Sequence, residues 1–170
     1  PRSPAICRMV TARPTQRVAD AAWVLGGVAG APGLLAAASR GLAVGEVFVV
    51  GMSWRTAPVA VREKLAFREE EVPDVVARLV AQPGVREALL ISTCNRVEVY
   101  GVGDSAEQSA RAARSFLLEQ RGLRAGELGD ALYEHHSAAA VRHVFRVASA
   151  LDSLVVGEAQ ILGQLKDAYA

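Results

Sequence analysis

Residues 87–102 read EALLISTCNRVEVYGV, and the architecture of the chain follows from how this stretch folds. EALLIS is a short, almost wholly apolar run, which reads as a strand buried on both faces. VEVYGV alternates apolar and polar positions, as a half-buried strand does. Thr93, Cys94, Asn95 and Arg96 lie between them. Four polar residues between two strands read as a turn, so the pair is predicted to be a β-hairpin with a reactive side chain at its tip.

Upstream, EVFVVG (residues 46–51) is β-branched and ends in glycine, which predicts another strand. MSWRTAP follows as a loop closed by Pro58, and residues 59–67 read as a short helix. Val72, Val75, Val76, Leu79 and Val80 recur at helical spacing. Glu69, Glu70 and Glu71 suit the positive end of that helix, and Pro83-Gly84 stops it. Downstream, Ser105 with Gln108 reads as a capping box, opening a helix that runs to about Arg121 and ends at Gly122. A further short strand is expected near residues 131–133. The order predicts an α+β sandwich with helices on one face of the sheet.

After Ser137, read as an N-cap, Val141, Val144, Phe145 and Ala148 form an apolar stripe. A helical pattern resumes through Leu154, Ile161, Leu162 and Leu165, interrupted by Gly157 and Gly163. Residues 44–150 are read as one domain and 151–170 as the start of a connecting helix. Residues 1–43 are rich in Ala, Gly, Pro and Arg without sustained periodicity. They read as an N-terminal extension, disordered or wrongly joined to the reading frame.

The 170 residues are 51% hydrophobic, enough for a real core, and carry 19 Lys and Arg against 18 Asp and Glu. That balance gives no electrostatic case for nucleic acid as the main ligand. A nucleic acid held at a chemical site, with most contacts made elsewhere, stays open. Two cysteines, Cys7 and Cys94, fit a reduced, cytoplasmic setting better than a disulfide scaffold. Residues 21–39 are weakly charged but broken by Pro32 and diluted by glycine, against a membrane span. Arg2, Arg8, Arg13 and Arg17 ahead of them give a crude likeness to a secretory signal, which the interrupted apolar core disfavours.

Cys94 is well placed for a nucleophile. A strand fixes it, a turn exposes it, and a thiolate is the reactive form. Arg96 could supply the positive field that favours the thiolate, or clamp a substrate carboxylate. The bland alternative is a small apolar residue at a strand end. His143, on the helix after Ser137, reads as a general acid or base beside the thiol, or as a partly buried histidine with a structural bond. His135 and His136 read as loop residues without a role. The Cys and His spacing matches no compact metal signature, and GEAQILGQ is wrong for a phosphate loop or dinucleotide fingerprint. Besides an enzyme, a non-catalytic binding module and a structural or redox domain remain open.

Three segments together carry a family resemblance: GMSWRTAPVAVREKLAF (51–67), STCNRVEVYG (92–101) and HVFRVASALDSLVVGEAQILGQLKDAYA (143–170). In order and spacing they resemble the N-terminal catalytic domain of glutamyl-tRNA reductases, over roughly residues 44–170. The resemblance implies a small ferredoxin-like sandwich followed by helices leading into a long spinal helix. It makes residues 44–150 a catalytic, glutamate-recognising domain. It implies NADPH-dependent reduction of glutamyl-tRNA to glutamate-1-semialdehyde, the first step of tetrapyrrole synthesis by the five-carbon route, through a thioester on Cys94. The alternative is a module that only binds glutamyl or aminoacyl-tRNA.

By the same resemblance, Thr93, Asn95, Arg96, Ser153, Glu158, Ala159, Gln160 and Gln164 bind substrate, and His143 is needed for activity. NADPH would be bound outside this chain, no metal is implied, and the fragment alone is not expected to reduce. Homodimerisation through a missing C-terminal domain, and contact with the aminomutase that follows in the pathway, are also implied. One position departs from the pattern: Trp54 stands where the family usually has His. Trp can pack and donate one hydrogen bond but cannot titrate.

Overall fold

A computed structural model describes residues 11–12, 45–124 and 126–152. In chain order these give β1 (Thr11–Ala12), β2 (Glu46–Ser53), α1 (Val59–Leu65), α2 (Val72–Val80), β3 (Val85–Ser92), β4 (Arg96–Gly103), α3 (Ala106–Gln120), β5 (Tyr133–His136) and α4 (Ser137–Ala148). Short 3₁₀ turns precede α2 (Glu69–Glu71) and β5 (Gly129–Ala131).

The sheet order is β1-β3-β4-β2-β5, with every neighbouring pair antiparallel. The predicted β3–β4 hairpin forms, with Leu90 opposite Val99 and Ser92 opposite Val97. From β2 to β5 the elements follow a β-α-β-β-α-β plan, two split βαβ units sharing one sheet, which is the ferredoxin-like arrangement. Thr11 and Ala12, the described residues ahead of residue 45, form a two-residue β1 beside Ala88 and Leu89 that the sequence reading did not foresee.

Side-chain alternation divides the sheet into two faces. Phe48, Val50 and Met52 of β2, with Leu90, Val97 and Val99, face the larger core. Leu65 from α1, Val72, Val75, Val76 and Leu79 from α2, and Ala110, Ala113, Phe116 and Leu117 from α3 close it. The opposite face bears Val49, Ile91 and Tyr100, covered by Ala140 and Val144 of α4. Helices therefore lie on both faces, which corrects the one-face expectation. For the same reason β4 is not half-buried. The alternate residues Glu98 and Tyr100, which point away from the main core, are buried beneath α4.

The structure differs from the sequence reading at α4 as well. Ala140 and Val147 are its buried residues, while Val141 (39% exposed) and Phe145 (67%) face outward. His136 rather than Ser137 occupies the N-cap position, and Ser137 takes a left-handed φ of 49°. The last strand lies at 133–136, with the 3₁₀ turn occupying the stretch expected to begin it. Ser105 caps α3 as expected, accepting the Gln108 amide at 3.5 Å.

Gly51 is one position where the sheet requires a bare backbone. It pairs with Glu98 on one side and Tyr133 on the other. A Cβ there would stand 2.7 Å from Glu98 Cγ and collide with the Val97 carbonyl. The missing side chain leaves room for a carboxylate beneath α4.

Candidate active site

Cys94 is exposed at the tip of the β3–β4 turn, and the backbone beneath it is braced from three directions. The Thr93 hydroxyl accepts the amides of Asn95 (3.2 Å) and Arg96 (3.1 Å), while the Thr93 amide donates to the Arg96 carbonyl at 2.7 Å. A short polar side chain at the first corner position does this readily. From α1, buried Arg62 donates Nε to the Cys94 carbonyl at 2.9 Å and Nη1 to the Ala57 carbonyl. The Trp54 amide donates to the Asn95 carbonyl at 2.8 Å, tying the β2–α1 loop to the turn. The thiol stands on a fixed base. Among the described residues none hydrogen-bonds its sulfur.

Arg96 points the other way from that exposed tip. Its side chain is 1% exposed. Nη1 donates to Glu98 Oε2 at 2.9 Å, and Nη2 donates to the Asp152 carbonyl at 2.6 Å and approaches Asp152 Oδ2 at 3.3 Å. Only Nε lacks a partner among the described residues. Burial works against the guanidinium charge, but the Glu98 charge beside it more than compensates and pushes its pKa up.

Glu98 is the centre of the buried face. It is fully buried, and each carboxylate oxygen takes two donors: Arg96 Nη1 and the Tyr100 hydroxyl on Oε2, the Tyr133 hydroxyl and His143 Nε2 (2.6 Å) on Oε1. Burial by itself would raise its pKa. The hydrogen bond from His143 and the charge of Arg96 overcome that and hold it at about 2. Tyr100 and Tyr133 are both pushed up, first by burial and then by the Glu98 charge. They therefore remain donors.

Asp152 closes the other end. Its side chain meets Arg96 and, at 3.0 Å, Arg55 Nε, and its carbonyl accepts the Trp54 indole N–H at 3.3 Å. Trp54 thus spends its single donor here, with the Arg55 guanidinium 4.5 Å above its ring. Two buried carboxylates, Glu98 and Asp152, are balanced by the two guanidiniums of Arg96 and Arg55.

Beside this network a cleft of about 440 Å³ opens, lined by the β2–α1 loop (Ser53, Arg55, Thr56), β5 (Tyr133, His135), α4 and Asp152. α4 contributes Arg142, His143 and Arg146. Three arginines against one aspartate make the cleft electropositive, suited to carboxylate or phosphate. Arg142 has no ion-pair partner among the described residues, whereas Arg146 stands 3.8 Å from Asp152. His135 packs its ring 4.6 Å from His143 and 5.2 Å from Tyr133. Burial, then the neighbouring His143, pulls its pKa down, so it faces the cleft as a neutral imidazole at neutral pH.

The structure therefore brings Arg96 and His143 together through Glu98. Cys94 is not among the residues lining the cleft. Its turn is bonded, through the Trp54 amide, to the β2–α1 loop that forms one wall. Thr93 and Asn95 serve the turn by their backbone and hydroxyl bonds. Ser153, Glu158, Ala159, Gln160 and Gln164 lie outside the described residues, as does Cys7. Sequence reasoning missed Glu98, Tyr100, Tyr133, His135, Arg62 and Asp152. A lone Glu flanked by valines in a strand, two residues from an Arg, was the available signal. It reads as a solvent-facing position until α4 is seen to cover it. Among the described residues no cluster of three or more Cys, His, Asp or Glu could hold a metal, and no helix is long and apolar enough to cross a membrane.

The chain is thus a split-βαβ domain with an exposed cysteine on a braced turn and an electropositive cleft whose histidine is anchored to a buried carboxylate. The family profile described as "Glutamyl-tRNAGlu reductase, N-terminal domain" matches residues 50–170, and the chain belongs to that family. It is 55% identical over 124 residues to the glutamyl-tRNA reductase of Salinispora arenicola, covering 73% of this chain and 27% of that protein. It is 48% identical over 125 residues to that of Solibacter usitatus, covering 74% and 30%. The solved structure of glutamyl-tRNA reductase from Methanopyrus kandleri matches with a TM-score of 0.50 at 37% identity, over 72% of this chain and 27% of that one. The chain thus spans less than a third of the length of these relatives.

Proposed function

We propose that this chain supplies the acyl-transfer half of a glutamyl-tRNA reductase, binding the glutamyl end of glutamyl-tRNA and forming a thioester on Cys94. The observation that carries the reading is the exposed Cys94 thiol on a turn braced by Thr93, Arg62 and Trp54 and bonded to the loop that walls an arginine-lined cleft. The Cys94 sulfur attacks the ester carbonyl, the bond to the terminal ribose oxygen breaks, and glutamyl is left on sulfur. The thiol proton passes to a base in the cleft, for which His143 is the candidate, and ends on the released ribose hydroxyl. The cleft arginines hold the anionic parts of the substrate. The thioester is the better hydride acceptor that reduction to glutamate-1-semialdehyde requires.

NADPH would supply that hydride, and the residues described do not fit it. Gly101 and Gly103, ahead of α3, belong to β4 and are packed against Phe48, Ser109 and the Gly84 carbonyl, which leaves no open backbone cradle for a dinucleotide pyrophosphate. Its site is assigned to a part of the enzyme outside this chain, and so are dimerisation and any contact with the following aminomutase.

The test is incubation of the chain with tRNA charged with isotope-labelled glutamate, followed by mass spectrometry of the intact protein. A glutamyl adduct on Cys94, absent in Cys94→Ser, is expected, together with release of uncharged tRNA. A folded chain that binds glutamyl-tRNA but never acquires label is a binding module instead. Equal labelling of Cys94→Ser removes Cys94 as nucleophile.

A further inference from the structure

The buried carboxylate of Glu98 has no part in bond making, yet it touches His143, the base of the proposed chemistry, and the buried Arg96. Its two oxygens accept from four donors. A carboxylate has about four acceptor sites, and a protonated carboxyl would need one of those neighbours to accept instead. The Arg96 guanidinium 2.9 Å from Oε2 keeps Glu98 ionised, and an ionised carboxylate only accepts, so His143 donates from Nε2. That bond leaves Nδ1 as the one ring nitrogen able to accept a proton, on a ring that lines the cleft and is packed edge-on against Tyr133 at 5.5 Å and beside Tyr100 at 6.3 Å.

We infer that Glu98 is the positioning residue of the site: it fixes the His143 ring in the Nε2–H form, with Nδ1 as its acceptor, and holds the Arg96 guanidinium between Glu98 and Asp152. The inference deepens the acyl-transfer reading and, for its consequence in catalysis, rests on it. Three features of the fold serve this arrangement. Gly51 vacates the space that Glu98 occupies. α4 delivers His143 from above, and β5 delivers Tyr133 from the sheet edge. A surface glutamate would orient nothing, because water would compete for each donor. A desolvated one sets the ring's tautomer as firmly as a carboxylate does for a metal-bound or triad histidine.

The experiment uses the full 170-residue chain with ¹⁵N-labelled histidine. Long-range ¹H–¹⁵N spectra at neutral pH distinguish a protonated from a bare ring nitrogen, and a His143→Gln spectrum assigns the resonances. The expected wild-type result is a His143 ring protonated at Nε2 and bare at Nδ1. Tyr133→Phe, which leaves the carboxylate in place, should keep that pattern. Glu98→Gln should shift the ring to tautomer-averaged values and slow glutamyl transfer to Cys94 by tenfold or more, with alkylation of Cys94 by iodoacetamide unchanged. A wild-type ring protonated at Nδ1 overturns the inference without any variant, which decides the matter even if Glu98→Gln does not fold. So does a folded Glu98→Gln protein with an unaltered ring or an unaltered transfer rate. If wild-type chain acquires no glutamyl group, the acyl-transfer reading fails, and the spectra still decide whether Glu98 positions His143.

Discussion

Arg62 shows how much a single side chain on a seven-residue helix contributes. It is 6% exposed and spends its guanidinium on two main-chain carbonyls, those of Cys94 and Ala57. Bonds from a charged donor are worth about 1.5–3 kcal/mol each, and the carbonyls left behind would be poorly hydrated. Arg62→Met keeps the aliphatic bulk and removes both donors. We expect it to lower unfolding stability by about 2–3 kcal/mol in a urea titration. Proteolysis near residue 94 should also become faster, because the turn loses its anchor. Nothing in α1 marks this residue beforehand. In VAVREKL it reads as one of several surface charges, and its burial comes from α1 lying across the hairpin's tip.

At the scale of elements, α4 decides what the domain can do. Its inward residues are Ala140 and Val147, with Val144 and His143 beside them, and Phe145 stands in solvent. Val147→Ala should cost about 1–3 kcal/mol. Phe145→Ala should change stability by less than about 0.5 kcal/mol. Equal losses in a thermal or denaturant titration would mean the helix is rotated. This rotation is what the sequence could not convey. In SAAAVRHVFRVA two apolar arcs overlap, one through Val144 and Phe145 and one through Ala140 and Val147, and periodicity does not say which meets the sheet. By contrast the β3–β4 hairpin, α2 and the capped start of α3 were legible, because apolar spacing, turn residues and the Ser105 cap all pointed the same way. Cys94 and His143 stood out by type and place, and the structure puts the first on an exposed turn and the second on the cleft wall. Glu98 and Asp152 were not legible, since their partners His143 and Arg96 stand 45 and 56 residues away in the chain.

For the whole molecule, acid should weaken the fold in two stages. His135 has its pKa lowered from the ordinary 6.5. The unfolded chain therefore binds a proton that the folded one resists, and stability declines as pH falls below about 6.5. Glu98 is held at about 2 against an ordinary 4.5. Its contribution is complete above 4.5 and is lost as pH falls from there toward 2, with Glu71, lowered to about 2 chiefly by its Arg121 hydrogen bond, adding to the same window. Urea midpoints measured at pH 8, 5.5 and 3 should fall at each step, and His135→Phe should flatten the first. A midpoint independent of pH between 8 and 5.5 in the wild-type protein would contradict the upper stage. Exposed pairs such as Arg86–Asp104 and Arg68–Glu70 should contribute little to either stage, being screened by salt.

Asp152 clasps Arg55 and Trp54 from 97 and 98 residues further along the chain, and Arg96 from 56. During synthesis the sheet's central strands would emerge and pair well before this aspartate leaves the ribosome. Until it does, the Arg96 guanidinium has one carboxylate where it needs two. The nascent domain would therefore hold its shape before the buried charge network beside the cleft was complete.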